Sequence, residues 1–188
     1  MNVVVLSGSV TGTKTRAVAR YTQDHLARTY RDHDVSLLDL AEYEIAHSDG
    51  RNYLDYPGDT GTVARKIMVA EVLIVVSPIY QASIPGALKN VLDLLPADAL
   101  TDTVVSMIAT AGSARHSLVP EVHFKPIFAY LKAQVVANYV FIEEKDVHRG
   151  EIIDDDVYLR IDRLLDDTLT LAEVQAEVRA RKDAAYGF

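Results

Sequence analysis

The chain has 188 residues, 49% of them hydrophobic and 24% charged, with a formal net charge of −8. That length suits one α/β domain with a full core over residues 1–188, and the acidic balance argues against nucleic-acid binding, which needs a basic face. With no cysteine in the chain, disulfides, iron–sulfur ligation and a thiol nucleophile are all excluded, which fits a reducing cytoplasm. The sequence enters a strand directly, with no basic-then-apolar leader, and no apolar run approaches the roughly 18 residues of a membrane span.

The first predicted strand, Val3–Leu6, runs into a hydroxyl-rich loop that opens a helix over Lys14–Tyr30. A helix start preceded by such a loop offers free backbone N–H groups, a positive dipole end and Ser/Thr donors, which together make a phosphate cradle. Two familiar versions of that cradle do not fit. Gly8 and Gly12 enclose three residues and Thr13 precedes Lys14, so the G-x-x-x-x-G-K-[ST] loop of nucleotide hydrolases is absent. Val10 stands where a dinucleotide fingerprint needs its second glycine. A single terminal phosphate held by Ser9, Thr11, Thr13, Lys14 and Thr15 remains, with FMN as the candidate ligand. The plain alternative is an ordinary helix cap.

A second strand is expected over Val35–Leu38 and a helix over Thr60–Val69. The polar stretch Glu44–Asp59 between them is long enough to serve as a site cover or subunit contact. The third strand, Val72–Val76, leads into SPIYQASIPGALKNVLDLL, Ser77 to Leu95. Pro78 stiffens the exit, Tyr80 supplies a flat face suited to an aromatic ligand or to packing, and Ser83 is placed to cap a helix over Pro85–Leu95. Leu88, Val91, Leu92 and Leu95 recur at helical spacing as core or interface positions, and Lys89 with Asp93 is a solvated pair.

The fourth strand, Val104–Ile108, is followed by TAGSARH, Thr110 to His116. Its small residues let successive amides point at negative charge on a reduced flavin. Arg115 is read either as solvent-facing or as a contact to a pyridine-nucleotide phosphate. His116 and His123 share a predicted helix, His116–Leu131, but no Cys or carboxylate at ligand spacing supports a metal site. A fifth strand over Val135–Phe141 and a last helix over Asp156–Arg181 complete the series, with Asp154 to Asp156 complementing that helix's dipole. Five strands alternating with five helices specify a five-stranded parallel sheet in the flavodoxin-like order 2-1-3-4-5, helices on both faces.

LSGS near the start, SPIYQASIPGALKNVLDLLP in the middle, and TAGSARH with FKPIFAYLKAQ beyond it resemble the NAD(P)H-dependent FMN reductases. The likeness is greatest to those serving two-component alkanesulfonate monooxygenases, and it spans about Asn2 to Ile142. The resemblance implies that Ser9, Thr11, Thr13, Lys14 and Thr15 hold the FMN phosphate. It further implies that Pro78, Ile79, Tyr80 and Gln81 lie against the flavin, and that Thr110, Ala111, Gly112 and Ser113 meet the ring edge. Many relatives carry an Arg near the place of Thr11, which leaves phosphate affinity to Lys14 or loosens FMN. The implied activity is hydride transfer from NAD(P)H to FMN with no catalytic side chain, reduced FMN passing to a partner flavin-dependent monooxygenase. A homodimer or homotetramer is implied, with Leu88, Val91, Leu92 and Leu95 as candidates for the subunit contact. Rival readings are a flavin-retaining quinone, azo-dye or chromate reductase and a flavodoxin-type electron carrier.

Overall fold

The computed structural model describes residues 1–186. Strand β1 (Asn2–Ser7) is followed by helix α1 (Thr13–Thr29), β2 (Asp34–Asp39), α2 (Gly58–Met68), β3 (Val72–Pro78), α3 (Gly86–Asp93) and β4 (Val104–Ala111). The pattern is simple because β1, β3 and β4 are mostly apolar runs buried on both faces, as central parallel strands are; every residue of β3 is buried, whereas the edge strand β2 is only partly covered. Helix α1 shows the complementary periodicity, burying Thr15, Val18, Ala19, Thr22 and Leu26 along one stripe.

The parallel sheet runs β2-β1-β3-β4-β5, with β5 at Gln134–Val135, as the sequence predicts. Side chains alternate across it. Val3, Val5, Ile74, Val76 and Ile108 face a layer completed by α1 and the last helix. Val4, Leu6, Leu73, Val75 and Met107 face α2, α3 and the segment after β4. Leu88, Val91 and Leu92 of α3 are 0–3% exposed and Leu95 is 9% exposed, all within this second layer. They are core positions of their own chain, the first of the two readings of this periodicity. A fully buried leucine such as Leu88 contributes about 1.5–3 kcal/mol through burial.

The structure departs from the sequence reading beyond β4. The expected fifth strand is two pieces, β5 (Gln134–Val135) against the start of β4 and β6 (Val140–Glu143) against its end. Between them the backbone leaves the ladder, and the Ala137 carbonyl accepts from Lys125 Nζ at 2.6 Å instead. The expected helix His116–Leu131 is also broken. A 3-10 turn at Ala114–His116 and a π-helical turn at Pro120–Phe124 precede a short α4, Lys125–Tyr130. Pro120 and Pro126 each lack the amide donor that a continuous ladder needs.

A hairpin that the sequence analysis did not foresee follows, β7 (Val147–His148) with β8 (Glu151–Ile152). Its turn residues Arg149 and Gly150 both have positive φ, the conformation of a tight two-residue hairpin. The last helix, α5, is longer than expected, at Asp155–Tyr186. Asp155 and Asp156 lie in its first turn, and Asp154 accepts the Asp156 amide at 2.9 Å. No described helix is long and apolar enough to cross a membrane.

Candidate functional site

In a doubly wound sheet the connections after β1 and β3 leave toward opposite faces, so a crevice opens beyond their carboxyl ends. Here that crevice is a cleft of about 310 Å³ lined by Thr11–Thr15, Pro78–Tyr80, Thr110–Gly112, Ile142–Glu144 and Val147. Three loops far apart in sequence meet there because they follow β1, β3 and β4, and a fourth follows β6.

The first loop leaves β1 through Gly8, whose amide donates to the Val76 carbonyl at 2.8 Å. Gly12, at φ 98, is the residue before α1, and no side chain caps the helix. The first-turn N–H groups therefore lack the Ser/Thr/Asp acceptor that usually satisfies them. This uncapped start rules out the plain-cap alternative and fits an anion. Thr11, Thr13, Lys14 and Thr15 all line the cleft. Ser9 does not. It is buried, and its hydroxyl is engaged by the Thr11 carbonyl, so it shapes the loop from beneath.

The second loop brings Pro78, Ile79 and Tyr80 to the cleft and leaves Gln81 outside it. Tyr80 is 44% exposed and lines the cleft. Its hydroxyl lies 3.4 Å from both the Ser9 and the Thr11 hydroxyls. Tyr80 and Ser83 exchange backbone hydrogen bonds of 3.1 and 3.0 Å around Gln81 and Ala82, at φ 49 and 57. Gln81 is thus a turn residue beside the cleft lining. Ser83 does not cap α3 as expected: Pro85 occupies the cap position and the Ser83 hydroxyl lies 3.2 Å from His123 Nδ1.

From the third loop, Thr110, Ala111 and Gly112 line the cleft, whereas Ser113 turns away to accept the Arg115 amide at 3.3 Å. Arg115 is exposed outside the cleft and forms no ion pair among the described residues. The segment Glu44–Asp59 does not cover the cleft. It is tied instead to α2 and α3, through Thr60 to Ala46 and Asn90 to Ser48. No metal-binding group exists among the described residues.

Sequence reasoning missed the fourth wall. Glu144 forms an ion pair with Lys14, and this holds its carboxyl below the ordinary range. Glu143 is likewise lowered, by its 2.9 Å bond from Lys145. The signal was present: a parallel sheet puts every strand's carboxyl end on one edge, so EEKD after the last strand belongs beside the other loops. Among the described residues the cleft lining thus holds one cation, Lys14, and two carboxylates.

The fold and this cleft define a flavodoxin-like protein in which the uncapped start of α1 stands beside an aromatic-bearing loop. The model of the NADPH-dependent FMN reductase family matches residues 1–147, and the chain belongs to that family. It is 33% identical to an NAD(P)H-dependent FAD/FMN reductase of Geobacillus thermodenitrificans, covering 87% of this chain and 89% of the relative. It is 32% identical to the NADH-dependent FMN reductase SfnF of Pseudomonas fluorescens, with 86% of each covered. Among solved structures, apo NADH:FMN oxidoreductase EMOB superposes with a TM-score of 0.72 at 26% identity, covering 90% of this chain and 89% of that one.

Proposed function

We propose that the chain is a reductase that takes FMN as a dissociable substrate, reduces it with NAD(P)H and releases it to a separate flavin-dependent monooxygenase. The observation that carries this reading is the uncapped start of α1 in one cleft with Lys14, Tyr80 and the Thr110–Gly112 backbone. Thr11, Thr13, Thr15, Lys14 and the first-turn amides are the donors a phosphate monoester requires. Tyr80 and Ile79 would offer a surface for the ring, and the backbone at Ala111 and Gly112, which lines the same cleft, would meet its edge. Bound FMN supplies the redox chemistry by accepting a hydride from NAD(P)H. The protein's share is to position the reactants and to keep the ring between apolar and amide groups.

Weak retention is supported by the charge of the lining, one lysine against two carboxylates for a ligand that is itself anionic. Residues 1–188 are read as a single FMN-binding domain acting in the cytoplasm, where NAD(P)H is supplied, and as a homodimer or homotetramer. SfnF, named as a reductase of FMN itself, supports FMN as the substrate.

The test is to mix the protein with excess free FMN and NADH or NADPH without oxygen and follow the flavin's visible absorption. Reduction of many equivalents of FMN per protein, with ternary-complex kinetics, is expected. Reduction limited to one retained equivalent would favour the electron carrier, and ping-pong turnover with retained flavin would favour the quinone, azo or chromate reductase.

A further inference from the structure

Glu144 stands between two of the loops that line the cleft. One of its carboxylate oxygens takes the Lys14 ammonium. The other lies 3.6 Å from where a Cβ on Gly112 would sit. The side chain therefore reaches from the cation of the first loop to the backbone of the third.

Its backbone is fixed. Glu143 and Asp146 form a reciprocal capping box around the turn, with the Glu143 amide donating to Asp146 Oδ2 at 2.9 Å, and Asp146 is buried. Glu143 offers no substitute, because it is turned to Lys145. Glu144 is thus the carboxylate presented to Lys14, while its side chain stays 65% exposed and free to swing outward.

A flavin phosphate on the cradle needs the same ammonium. Lys14 is the one cation among the described lining residues, and two anions sharing it repel each other while each weakens the other's hold. We propose that Glu144 competes with the FMN phosphate for Lys14 and so sets how readily FMN leaves. This rests on the reading of the cleft as the FMN site. Riboflavin carries the same ring and ribityl chain without the phosphate, so it is indifferent to this competition. The ratio of the two affinities isolates the effect.

Titration by quenching of flavin fluorescence tests it. Glu144→Gln is expected to tighten FMN by about three- to ten-fold at low salt, with riboflavin affinity changed by less than about two-fold. The gain should shrink as salt is added. In a Lys14→Met background the same substitution should change FMN affinity by less than about two-fold. An equal shift for both flavins would overturn the proposal, since Glu144 would then act on ring or ribityl. A full gain in the Lys14→Met background would overturn it too, by showing repulsion independent of the lysine. Wild-type protein that binds neither flavin removes the site itself, whereas normal FMN preference with no response to Glu144→Gln removes only this competition.

Discussion

The hydroxyl oxygens of Thr15 and Thr110, 95 positions apart, meet at 2.7 Å in the buried floor of the cleft. One belongs to the first turn of α1 and the other to the end of β4. This bond ties the start of α1 to the end of β4, so the spacing of these two walls of the cleft is set within the fold itself.

Thr15→Val keeps the shape and leaves the Thr110 hydroxyl buried without this partner. Stranding a buried polar group costs about 1–3 kcal/mol, whereas replacing both partners by isosteric apolar groups is close to neutral. Thr15→Val should therefore lose about 1–2 kcal/mol in urea unfolding followed by circular dichroism, and Thr15→Val with Thr110→Val should recover most of it. Equal losses in single and double variants would mean that the bond does not couple the two loops.

The turn at Gln81 and Ala82 places two ordinary residues in the left-handed region, φ 49 and 57, where Asn and Gly are preferred. Such strain is tolerated where the surroundings fix it, and here it holds Tyr80 over the cleft. Gln81→Asn with Ala82→Gly should raise stability by about 0.5–1 kcal/mol and the thermal midpoint by about 1–4 °C. FMN affinity should stay near the wild-type value, because neither side chain faces the cleft. An unchanged or lowered midpoint in differential scanning calorimetry would refute the strain argument.

The sequence exposed this architecture where signals were local. β1, β3 and β4 are long apolar runs, so their order and the loops at their carboxyl ends could be read directly. Thr11, Thr13, Lys14, Thr15, Pro78 to Tyr80 and Thr110 to Gly112 then all reached one cleft. What was hidden depends on long-range pairing. The split between β5 and β6 is set by contacts from Lys125 and by register against β4. The strands of the β7–β8 hairpin have two residues each, too few for periodicity to register. Glu144 meets Lys14 across 130 positions; the polarity of the sheet brings EEKD to the edge of the cleft, but no spacing rule singles out this pair.

Asp49 organises the polar segment after β2. It accepts from Arg51 Nε at 2.9 Å and from the Tyr56 hydroxyl at 2.7 Å, and these bonds hold its carboxyl well below the ordinary carboxylate range. A group whose folded pKa is depressed contributes stability that is fully present above its unfolded value, about 3.9 for Asp, and lost as pH falls through the folded value. The segment should therefore keep its arrangement down to about pH 4 and loosen only below it. Carboxyl-carbon NMR should show Asp49 still ionised where exposed aspartates are half protonated. Asp49→Asn should release Arg51 and speed tryptic cleavage after it at neutral pH. A cleavage rate equal to wild type would detach Asp49 from the order of this segment.

Gly8 is the point where β1 passes into the first loop of the cleft, and space rather than backbone freedom requires glycine there. An added Cβ would meet Leu88 Cδ2 at 2.8 Å and the Ser77 side chain at 3.2 and 3.3 Å. Leu88 is fully buried, so its methyl has no open space into which to retreat. Overpacking of this kind costs about 1–3 kcal/mol. It would also push the loop carrying Ser9 to Thr15 away from α3, so Gly8→Ala should lose both stability and FMN affinity. Leu88→Ala alone leaves a cavity costing about 2–5 kcal/mol. If the conflict is steric, the two changes compensate, and the double variant is more stable than the sum of the single losses predicts, with FMN affinity partly restored. Strict additivity in that double-mutant cycle would show that Gly8 and Leu88 do not share the space between β1 and α3.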